Sequence, residues 1–566
     1  MLLAAAWTAY VVWRVTADVD DAETSAAALL DAVVDEDLAR ARTAALRLQG
    51  PATAAADRTD GPWWEVLTWA PVLGDDADGL RAVGRSLGTV ADDGVGPLVE
   101  ALTRLDHLTV DGRVDLRLVR DVTPLVTRAE DAFGRASALV AKRDSEGYVG
   151  PLRDSFDEYA ERLAGAADGL ATGRQALDVL PTMVGADGPR TYLLVFENNA
   201  EIRATGGLPG SWGLVHARDG RLTMDRQGSG GEVEKAAPGT VLRVSRAERR
   251  IFGEQLSHYF RSANATPDFP RVAELVRARW EAGGGEPLDG VMSIDVRAMA
   301  YLLRGTGPIE VRDLRLTGDN LVEALLSRAY EVLPPELQDQ AFEEAAKAVF
   351  DATQRELLSP LRLLYGLGRA AQEGRFHLAS FREPVAEALA GSDVLGELPG
   401  DDGTTPHVGV TVNDATGSKM SYYLRYGVDV DAASCADGST QVLEGRMRVA
   451  QLVDVARAKR LPDYVTGGGQ YGVEPGTQLV AIRLYAPYGG SVDDITVDGQ
   501  AIGRRLAQVT EQDGREVATL FVQTSDAGSD LSWTMTGGRG QTGDVAVDVT
   551  PSIEPMSSSS TAPSAC

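Results

Sequence analysis

In residues 191–213, TYLLVFENNAEIRATGGLPGSWG, an apolar run is followed directly by amide, carboxylate and guanidinium side chains. The apolar run, residues 192–196, predicts a buried strand. Polar groups at the carboxyl end of a strand in an α/β sheet are a common location for ligand sites. The candidate ligand-binding residues of this stretch are Asn198, Asn199, Glu201, Arg203, Thr205, Gly206 and Gly207.

These residue types suit two kinds of ligand. Arg203 offers a planar guanidinium that fits a phosphate or a carboxylate, and the two glycines would let backbone amides approach a ligand closely. Glu201 and Asp295 are candidate oxygen ligands for a divalent cation such as Mg²⁺, although the sequence leaves the cofactor unknown. An alternative fits equally well: Glu201 pairs with Arg203, the asparagines cap turns and the glycines form a hairpin.

The composition narrows the range of partners. The chain has 566 residues and a formal net charge of −28 at pH 7. Such a surface repels phosphate polymers, so we expect no nucleic-acid partner. Anionic lipid headgroups are repelled too, so any membrane attachment must be hydrophobic. The only cysteines, Cys435 and Cys566, exclude a disulfide scaffold, and the sequence leaves open whether they pair.

The first segment, MLLAAAWTAYVVWRVTA, is apolar and contains the aromatic residues typical of a membrane interface. Its apolar part is shorter than the roughly 20 residues that span a bilayer. We predict that residues 1–17 form a membrane anchor whose start is truncated, which would make the chain single-pass with its bulk outside the cytoplasm. The alternative is a buried helix of the following domain.

Residues 18–184 show a helical period and predict a helical stalk, built as a bundle or a long hairpin. The clearest stripe has apolar residues three and four positions apart, on one face of a helix. Its members are Val119, Val122, Val126, Ala129, Phe133, Ala136 and Val140.

The remainder of the chain predicts a multidomain α+β protein. Residues 188–373 alternate short apolar runs with helical patterns, which indicates an α/β domain with trailing helices. Residues 374–406 are predicted to be a linker. Residues 407–551 alternate apolar and polar positions between Gly and Asp turns, which indicates a β-sandwich. Residues 552–566, which include SSSSTAPSAC, predict a disordered tail.

The stretch LLVFENNAEIRATGGLPGSWGLV resembles the signature of domain of unknown function 4012, found in actinobacterial and other bacterial proteins. The stretches TPDFPRVAELVRARW, LDGVMSIDVRAMAYLLRGTGPIEV and LPDYVTGG are similar to that family as well. The resemblance implies an exported, membrane-anchored protein of the cell envelope with no established biochemical activity.

A second resemblance is to the LytR–CpsA–Psr phosphotransferases, which attach glycan polymers to bacterial cell walls. It rests on residues 289–311, DGVMSIDVRAMAYLLRGTGPIEV, and on the loop that carries Arg203. Such an enzyme needs arginines for a lipid-linked pyrophosphate and a divalent cation for the leaving group. Arg190, Arg243 and Arg246 are the further candidate arginines. Where those enzymes carry an Arg-x-Asp-Thr run, this chain has residues 204–207, ATGG, which favours binding over catalysis.

Three functional hypotheses follow. The first is an exported, membrane-anchored envelope protein that recognises an envelope glycan or its polyprenyl-phosphate precursor. The second is a cation-dependent phosphotransferase that attaches glycopolymer to the cell wall. The third is a non-catalytic scaffold or adhesin, in which the signature only packs the fold. No catalytic residue is assigned from the sequence, because the chain has no nucleophile elbow, phosphate loop or HExxH motif.

Overall fold

The structure is a computed structural model and describes residues 2–34, 37–70, 74–105, 107–401, 403–453, 458, 460–469 and 472–566. Helices and several β-sheets alternate along the chain, which confirms the mixed α and β composition predicted from the sequence. Two compact units are present. The first comprises residues 1–188, 218–221 and 358–364, and the second comprises residues 189–217, 222–357 and 365–566.

In its described residues, the first unit is helical apart from one small hairpin. Its helices are α1 (Leu2–Val34), α2 (Leu38–Thr59), α3 (Pro62–Leu67), α4 (Gly74–Thr89), a π-helical turn (Val90–Gly94), α5 (Val95–Leu105), α6 (Leu116–Val140) and α7 (Gly150–Met183). The hairpin consists of strands β1 (Thr109–Val110) and β2 (Arg113–Val114).

The apolar stripe predicted for residues 119–140 lies on helix α6. Six of its seven members are buried there, and Phe133 is partly buried against the apolar cluster that contains Ala136 and Val140. Asp115 starts this helix, because its carboxylate accepts hydrogen bonds from the amides of Arg117 and Leu118 at 2.8 and 3.2 Å. The sequence pattern therefore predicted this element and its buried face correctly.

The predicted anchor, residues 1–17, forms the beginning of helix α1, apart from Met1, which lies outside the described residues. Val15 of the predicted anchor, and Val19 and Ala22 beyond it, are buried in the helical core of the first unit, whereas Trp13 is exposed. Across the described part of the chain, no helix has the length and apolarity required to cross a membrane.

The second unit contains a five-stranded sheet in the order β5-β4-β3-β6-β9. Strand β3 is central: it pairs antiparallel with β4 and parallel with β6. The strands are β3 (Arg190–Asn198), β4 (Leu208–Arg218), β5 (Arg221–Ser229), β6 (Gly290–Asp295) and β9 (Phe376–Ser380), and a separate hairpin is formed by β7 (Ile309–Val311) and β8 (Leu314–Leu316).

Helices connect these strands. They are α8 (Gly230–Ala236), α9 (Arg246–Phe252), α10 (Gln255–His258), a 3₁₀ helix (Phe260–Ala265), α11 (Phe269–Ala282), α12 (Val296–Thr306), α13 (Leu321–Glu323), a π-helical turn (Ala324–Arg328), α14 (Ala329–Val332), α15 (Pro335–Thr353), α16 (Pro360–Gln372) and α17 (Glu383–Leu389). The parallel pair β3 and β6 is joined through several of them, as parallel strands require a crossover connection.

A β-sandwich completes the second unit, with a six-stranded sheet β16-β17-β13-β10-β19-β20 and a five-stranded sheet β11-β12-β18-β14-β15 around one apolar core. Its strands are β10 (His407–Asp414), β11 (Leu424–Ala436), β12 (Thr440–Gln451), β13 (Gln478–Tyr485), β14 (Ser491–Val497), β15 (Gln500–Ala501), β16 (Thr510–Gln512), β17 (Arg515–Thr524), β18 (Ser529–Thr536), β19 (Val545–Val549) and β20 (Thr561–Ala562). A 3₁₀ helix (Met420–Tyr423) and helix α18 (Asp463–Thr466) lie between strands.

Residues 374–406, predicted as a linker, contain regular structure. Strand β9 pairs antiparallel with β6 and forms an edge of the central sheet, and helix α17 follows it. The prediction was wrong here because a five-residue strand has little periodicity of its own. It is the pairing with β6 that stabilises β9.

Residues 552–566, predicted as a disordered tail, pack against the sandwich. Strand β20 pairs with β19, and the amides of Val428 and Val430 donate to the hydroxyls of Ser558 and Ser559 at 3.0 and 3.2 Å. A composition poor in apolar residues suggested disorder. The prediction failed because the tail instead satisfies the open backbone groups of two edge strands.

A disulfide fixes this segment. Cys435, on strand β11, is bonded to Cys566, 131 residues away along the chain. The bond therefore settles the pairing that the sequence left open.

We expect reduction of this disulfide to lower the free energy of unfolding by about 2–4 kcal/mol, because the bond closes a long loop in the unfolded chain. Urea unfolding with and without dithiothreitol measures the difference. A Cys435→Ser, Cys566→Ser double variant is the control, since its stability should not respond to dithiothreitol. Equal stability of the oxidised and reduced wild-type protein would argue against the bond.

Candidate functional site

The signature is the connection between strands β3 and β4. Strand β3 ends with Glu197 and Asn198, the connection follows, and β4 begins at Leu208. Gly206 has φ +127°, which L side chains rarely adopt, and a Cβ on Gly207 would lie 2.5 Å from the carbonyl carbon of Asn198. Both glycines are therefore needed for the close return of the chain. We refer to residues 199–207 as the signature loop.

Glu197 holds the signature loop closed from inside. Its carboxylate is buried and accepts hydrogen bonds from Thr205 Oγ1 at 2.9 Å, from the Gly207 amide at 3.2 Å and from Asn264 Nδ2 at 3.3 Å. Asn264 Nδ2 also donates to Thr205 Oγ1 at 2.9 Å and to the Gly207 carbonyl at 2.7 Å. Thr205 and Gly207 are thus committed to this internal network.

Burial changes the acidity of Glu197. Removal from water raises the pKa of this carboxyl group to about 8. The hydrogen bond from Thr205 lowers the pKa, and the negative charge of Asp295 raises it further. The group is therefore mostly protonated at neutral pH in the folded protein.

Asp295 belongs to a second buried network, at the end of strand β6. Its Oδ2 accepts from Asn199 Nδ2 at 2.8 Å and from Arg375 Nη1 at 2.9 Å, and its Oδ1 accepts from the Ala298 amide at 2.7 Å. The last bond caps helix α12. Asn199 contributes a further cap, because its Oδ1 accepts from the Val296 amide at 3.2 Å. Asp295 and Asn199 therefore fix the strand-to-helix connection.

Glu201 pairs with a residue of the sandwich. Its carboxylate accepts a hydrogen bond from Lys419 Nζ, and both side chains are largely buried. Burial alone would raise the pKa of Glu201, but the positive charges of Lys419 and Arg203 outweigh it and hold the pKa below its ordinary value. Asn198 lies nearby and donates to Tyr330 Oη at 2.6 Å.

The carboxylates do not fit the predicted divalent cation. Asp295 is bonded to Arg375 and Glu201 to Lys419, so each already has a positive counterpart, and the two lie in separate networks. No group of three or more metal-type ligands occurs within the ranges that the structure describes. The metal-binding role predicted for Glu201 and Asp295 is therefore not supported by their surroundings.

The backbone of the signature loop is inserted into the β-sandwich. Ile202 is buried in the sandwich core. The loop backbone is hydrogen-bonded on both sides of it. These bonds run from Asp414 N to Ile202 O at 2.9 Å, from Ile202 N to Ser421 Oγ at 3.1 Å, from Ser421 N to Ala200 O at 3.1 Å, from Ala204 N to Asn413 Oδ1 at 3.2 Å and from Thr550 Oγ1 to Ala204 O at 3.0 Å. We call this set of contacts the loop–sandwich junction.

Arg203 differs from the other charged residues of the signature. Its side chain is half-buried, and its Nη1 donates to the carbonyl of the adjacent Ile202 at 2.8 Å. Among the described residues it forms no ion pair with a carboxylate. The predicted Glu201–Arg203 pair is not hydrogen-bonded among the described residues, because Glu201 bonds to Lys419, although the two charges act on each other.

The other predicted arginines are not gathered around Arg203. Arg190 begins strand β3, at the end opposite to the signature. It is separated from Asn198 by eight residues of extended chain, which span about 25 Å. Arg243 lies in an irregular segment and Arg246 at the start of helix α9, and both side chains are exposed. Within the described part of the chain, neither is hydrogen-bonded to the signature loop.

Several residues of the site could not be found from the sequence. Asn264 lies 67 positions from Glu197, Arg375 lies 80 from Asp295, and Lys419 lies 218 from Glu201. None of them stands in a pattern that marks a site. Only the fold brings them to the signature.

We expect Glu197 to make stability pH-dependent between pH 6.5 and 8. In this window the folded state retains a proton that the unfolded carboxyl group has lost, so the free energy of unfolding falls by up to about 1.4 kcal/mol per pH unit. Two other shifted groups contribute at the acid end of this window. Burial raises the pKa of Asp268 to about 6 and lowers the pKa of His377 to about 4 from its ordinary 6.5, so folded Asp268 and unfolded His377 both still titrate near pH 6.5. Their contribution is the same in the wild type and in a Glu197 variant, so the difference between the two slopes reports Glu197.

Urea unfolding of the wild type and of a Glu197→Gln variant across this window tests the expectation. The glutamine imitates the protonated acid, so the pH dependence should flatten. Glu310→Gln, at an exposed position of strand β7, should keep the wild-type slope. An unchanged slope in Glu197→Gln would show that this carboxyl group ionises normally in the folded protein.

Comparison with known proteins places part of the chain in a family. Residues 187–330 match the family described as "Protein of unknown function (DUF4012)". No match was found among curated proteins, and none among solved structures. None of the comparisons shows the predicted likeness to the LytR–CpsA–Psr phosphotransferases, which stays a prediction. The resemblance of the signature is confirmed over residues 187–330, about a quarter of the chain, where the sequence matches this family.

Proposed function

We propose that this chain is an exported cell-envelope protein that binds an anionic envelope molecule, a glycan or its lipid-phosphate precursor, through Arg203. The observation that carries the proposal is the difference between the charged residues of the signature. Glu197 and Glu201 are committed to internal hydrogen bonds, whereas Arg203 is half-buried and, among the described residues, has only the Ile202 carbonyl as its hydrogen-bond partner. A guanidinium in this state retains donors for an incoming anion.

The disulfide supports export. Bonds such as Cys435–Cys566 form and persist in oxidising compartments outside the cytoplasm, with the intracellular proteins of hyperthermophiles as an exception. Attachment to a membrane through residues 1–17 stays a prediction from the sequence. So does a closer likeness of the central sheet to the phosphotransferase fold.

Binding without chemical transfer is the form of the proposal that the side chains favour. A phosphotransferase would need several arginines and a cation site around one pyrophosphate. In this chain Arg190 lies at the far end of strand β3, and Glu201 and Asp295 each have a cationic partner. The phosphotransferase hypothesis therefore ranks below binding.

A structural scaffold is the second candidate, and the loop–sandwich junction favours it. The signature loop supplies Ile202 to the sandwich core and exchanges main-chain hydrogen bonds with it. If that were the whole role of the signature, the protein would need no ligand at Arg203.

The experiment that separates the three hypotheses uses a polyprenyl-pyrophosphate-linked oligosaccharide in detergent micelles, with Mg²⁺ and a peptidoglycan-derived acceptor. Binding is measured by co-sedimentation, and transfer by release of polyprenyl phosphate. We expect binding by the wild type, at least tenfold weaker binding by Arg203→Gln, and no release above that in buffer. Arg446→Gln, an exposed arginine of strand β12, serves as the control and should bind like the wild type.

Two results would contradict the proposal. Release of polyprenyl phosphate by the wild type, lost in Arg203→Gln, would establish the phosphotransferase hypothesis. Equal or absent binding in the wild type and Arg203→Gln would leave the scaffold hypothesis.

A further inference from the structure

Arg483 occupies an unusual position on strand β13. Its neighbours Ile482 and Leu484 face the core of the sandwich, so Arg483 faces the other side of the sheet. It is nevertheless 94% buried, since its relative exposure is 6%. Thr411 on strand β10 and Thr519 on strand β17 lie opposite it in register.

No carboxylate of the described residues forms an ion pair with Arg483. Its Nη2 donates to the Ile251 carbonyl at 3.1 Å, and its guanidinium lies 4.8 Å from the centre of the Phe252 ring. Its Nε and Nη1 atoms are buried and have no acceptor among the described residues. A buried guanidinium without a counter-charge costs several kcal/mol, so this arrangement calls for an anion.

Two hydroxyl groups on the same face of the sheet also lack a hydrogen-bond partner among the described residues. Thr411 Oγ1 and Tyr485 Oη are both buried without a hydrogen-bond partner in the described structure. Thr411 pairs with Arg483 across the strands, and Tyr485 follows Arg483 by two positions, which places all three side chains on one face. The unpartnered atoms are therefore neighbours, and they are all able to donate to one acceptor group.

Arg203 of the signature loop lies near the same face of the sheet. The amide of the adjacent Ala204 donates to Asn413 Oδ1 at 3.2 Å, and Asn413 lies two positions from Thr411 on strand β10, so the two side chains share that face. Burial lowers the pKa of Arg483, the Tyr485 hydroxyl opposes this, and the positive charge of Arg203 lowers it further. Two guanidinium groups thus act on each other within this part of the second unit. Arg203 is the more exposed of the two, so an anion from solvent would meet it first.

We infer that Arg483 and Arg203 together bind one phosphate group, with the hydroxyls of Thr411 and Tyr485 as additional donors. Phosphate suits the set because it carries up to two negative charges for two guanidiniums and offers several oxygens to convergent donors. The inference rests on the proposed function, in which Arg203 meets the anion, and adds the buried residue that completes the site. The phosphate could belong to a soluble ester or to a lipid headgroup, which share this chemistry.

The test is thermal unfolding of the full chain at constant ionic strength, with sodium chloride replaced stepwise by sodium phosphate. A ligand that binds the folded state raises Tm with a saturable dependence on its concentration. We expect such a rise for the wild type, and a half-saturating phosphate concentration at least tenfold higher for Arg483→Met and for Arg203→Gln. Arg448→Met is the matched control, because that arginine is half-exposed and paired with Asp530 on the other sheet.

Arg483→Met also has an expected effect without phosphate. Replacing an unpartnered buried charge by an apolar side chain of similar length should leave Tm equal or higher in chloride buffer. If this variant does not fold, Arg483→Lys and a ³¹P NMR titration of the wild type provide the same information.

Binding of sn-glycerol 3-phosphate is then compared with binding to micelles containing polyprenyl phosphate, which separates a soluble ester from a lipid headgroup.

The outcomes distinguish this inference from the proposed function. A phosphate effect that is lost in Arg203→Gln but retained in Arg483→Met overturns the inference and leaves the proposed function standing. No rise in Tm, or the same rise in every variant, overturns the role of both arginines. A rise produced equally by acetate would show that the site does not select phosphate.

Discussion

The structure of the second unit depends on one constraint: the polar backbone of the signature loop is buried and must be hydrogen-bonded. Buried amides and carbonyls without partners are strongly destabilising. On the side of the central sheet, Glu197 and Asn264 form hydrogen bonds with the loop. On the side of the sandwich, Asn413, Ser421 and Thr550 do the same. Residues 199–207, which are part of the signature, therefore help to hold the sheet and the sandwich together, alongside contacts such as Arg375 with the Ser552 carbonyl and Arg483 with the Ile251 carbonyl.

This constraint also explains how charge is distributed in the signature. The two glutamates are needed inside, where Glu197 closes the hairpin and Glu201 pairs with Lys419. Arg203 follows Ile202, whose side chain is buried in the sandwich core, and its guanidinium remains half-buried beside the chain. The junction thus fixes the position of the arginine that we propose to meet an anion, and Arg483 extends the positive region inward. Structural and binding roles of the signature are compatible on this basis.

Local features were predictable from the sequence and distant ones were not. Strand β3, the glycine hairpin after it and the buried face of helix α6 follow from patterns within a few residues. The partners of the signature, such as Asn264 and Lys419, lie far along the chain and carry no local mark. The errors at strand β9 and at residues 552–566 have the same origin, because these segments gain their order from pairing with edge strands. Burial of Glu201 against Lys419 rather than Arg203 likewise required the fold.

Amide hydrogen exchange in an Asn413→Ala variant tests the loop–sandwich junction most directly. This change removes the acceptor of the Ala204 amide while leaving the signature loop itself unaltered. Loss of one such bond to a buried amide corresponds to about 1–3 kcal/mol, so exchange across residues 199–207 should be roughly tenfold faster or more. Thr534→Ala, on the exposed face of the other sheet, should leave this exchange unchanged. Wild-type protection of the signature loop in Asn413→Ala would contradict the claim that the sandwich holds it in place.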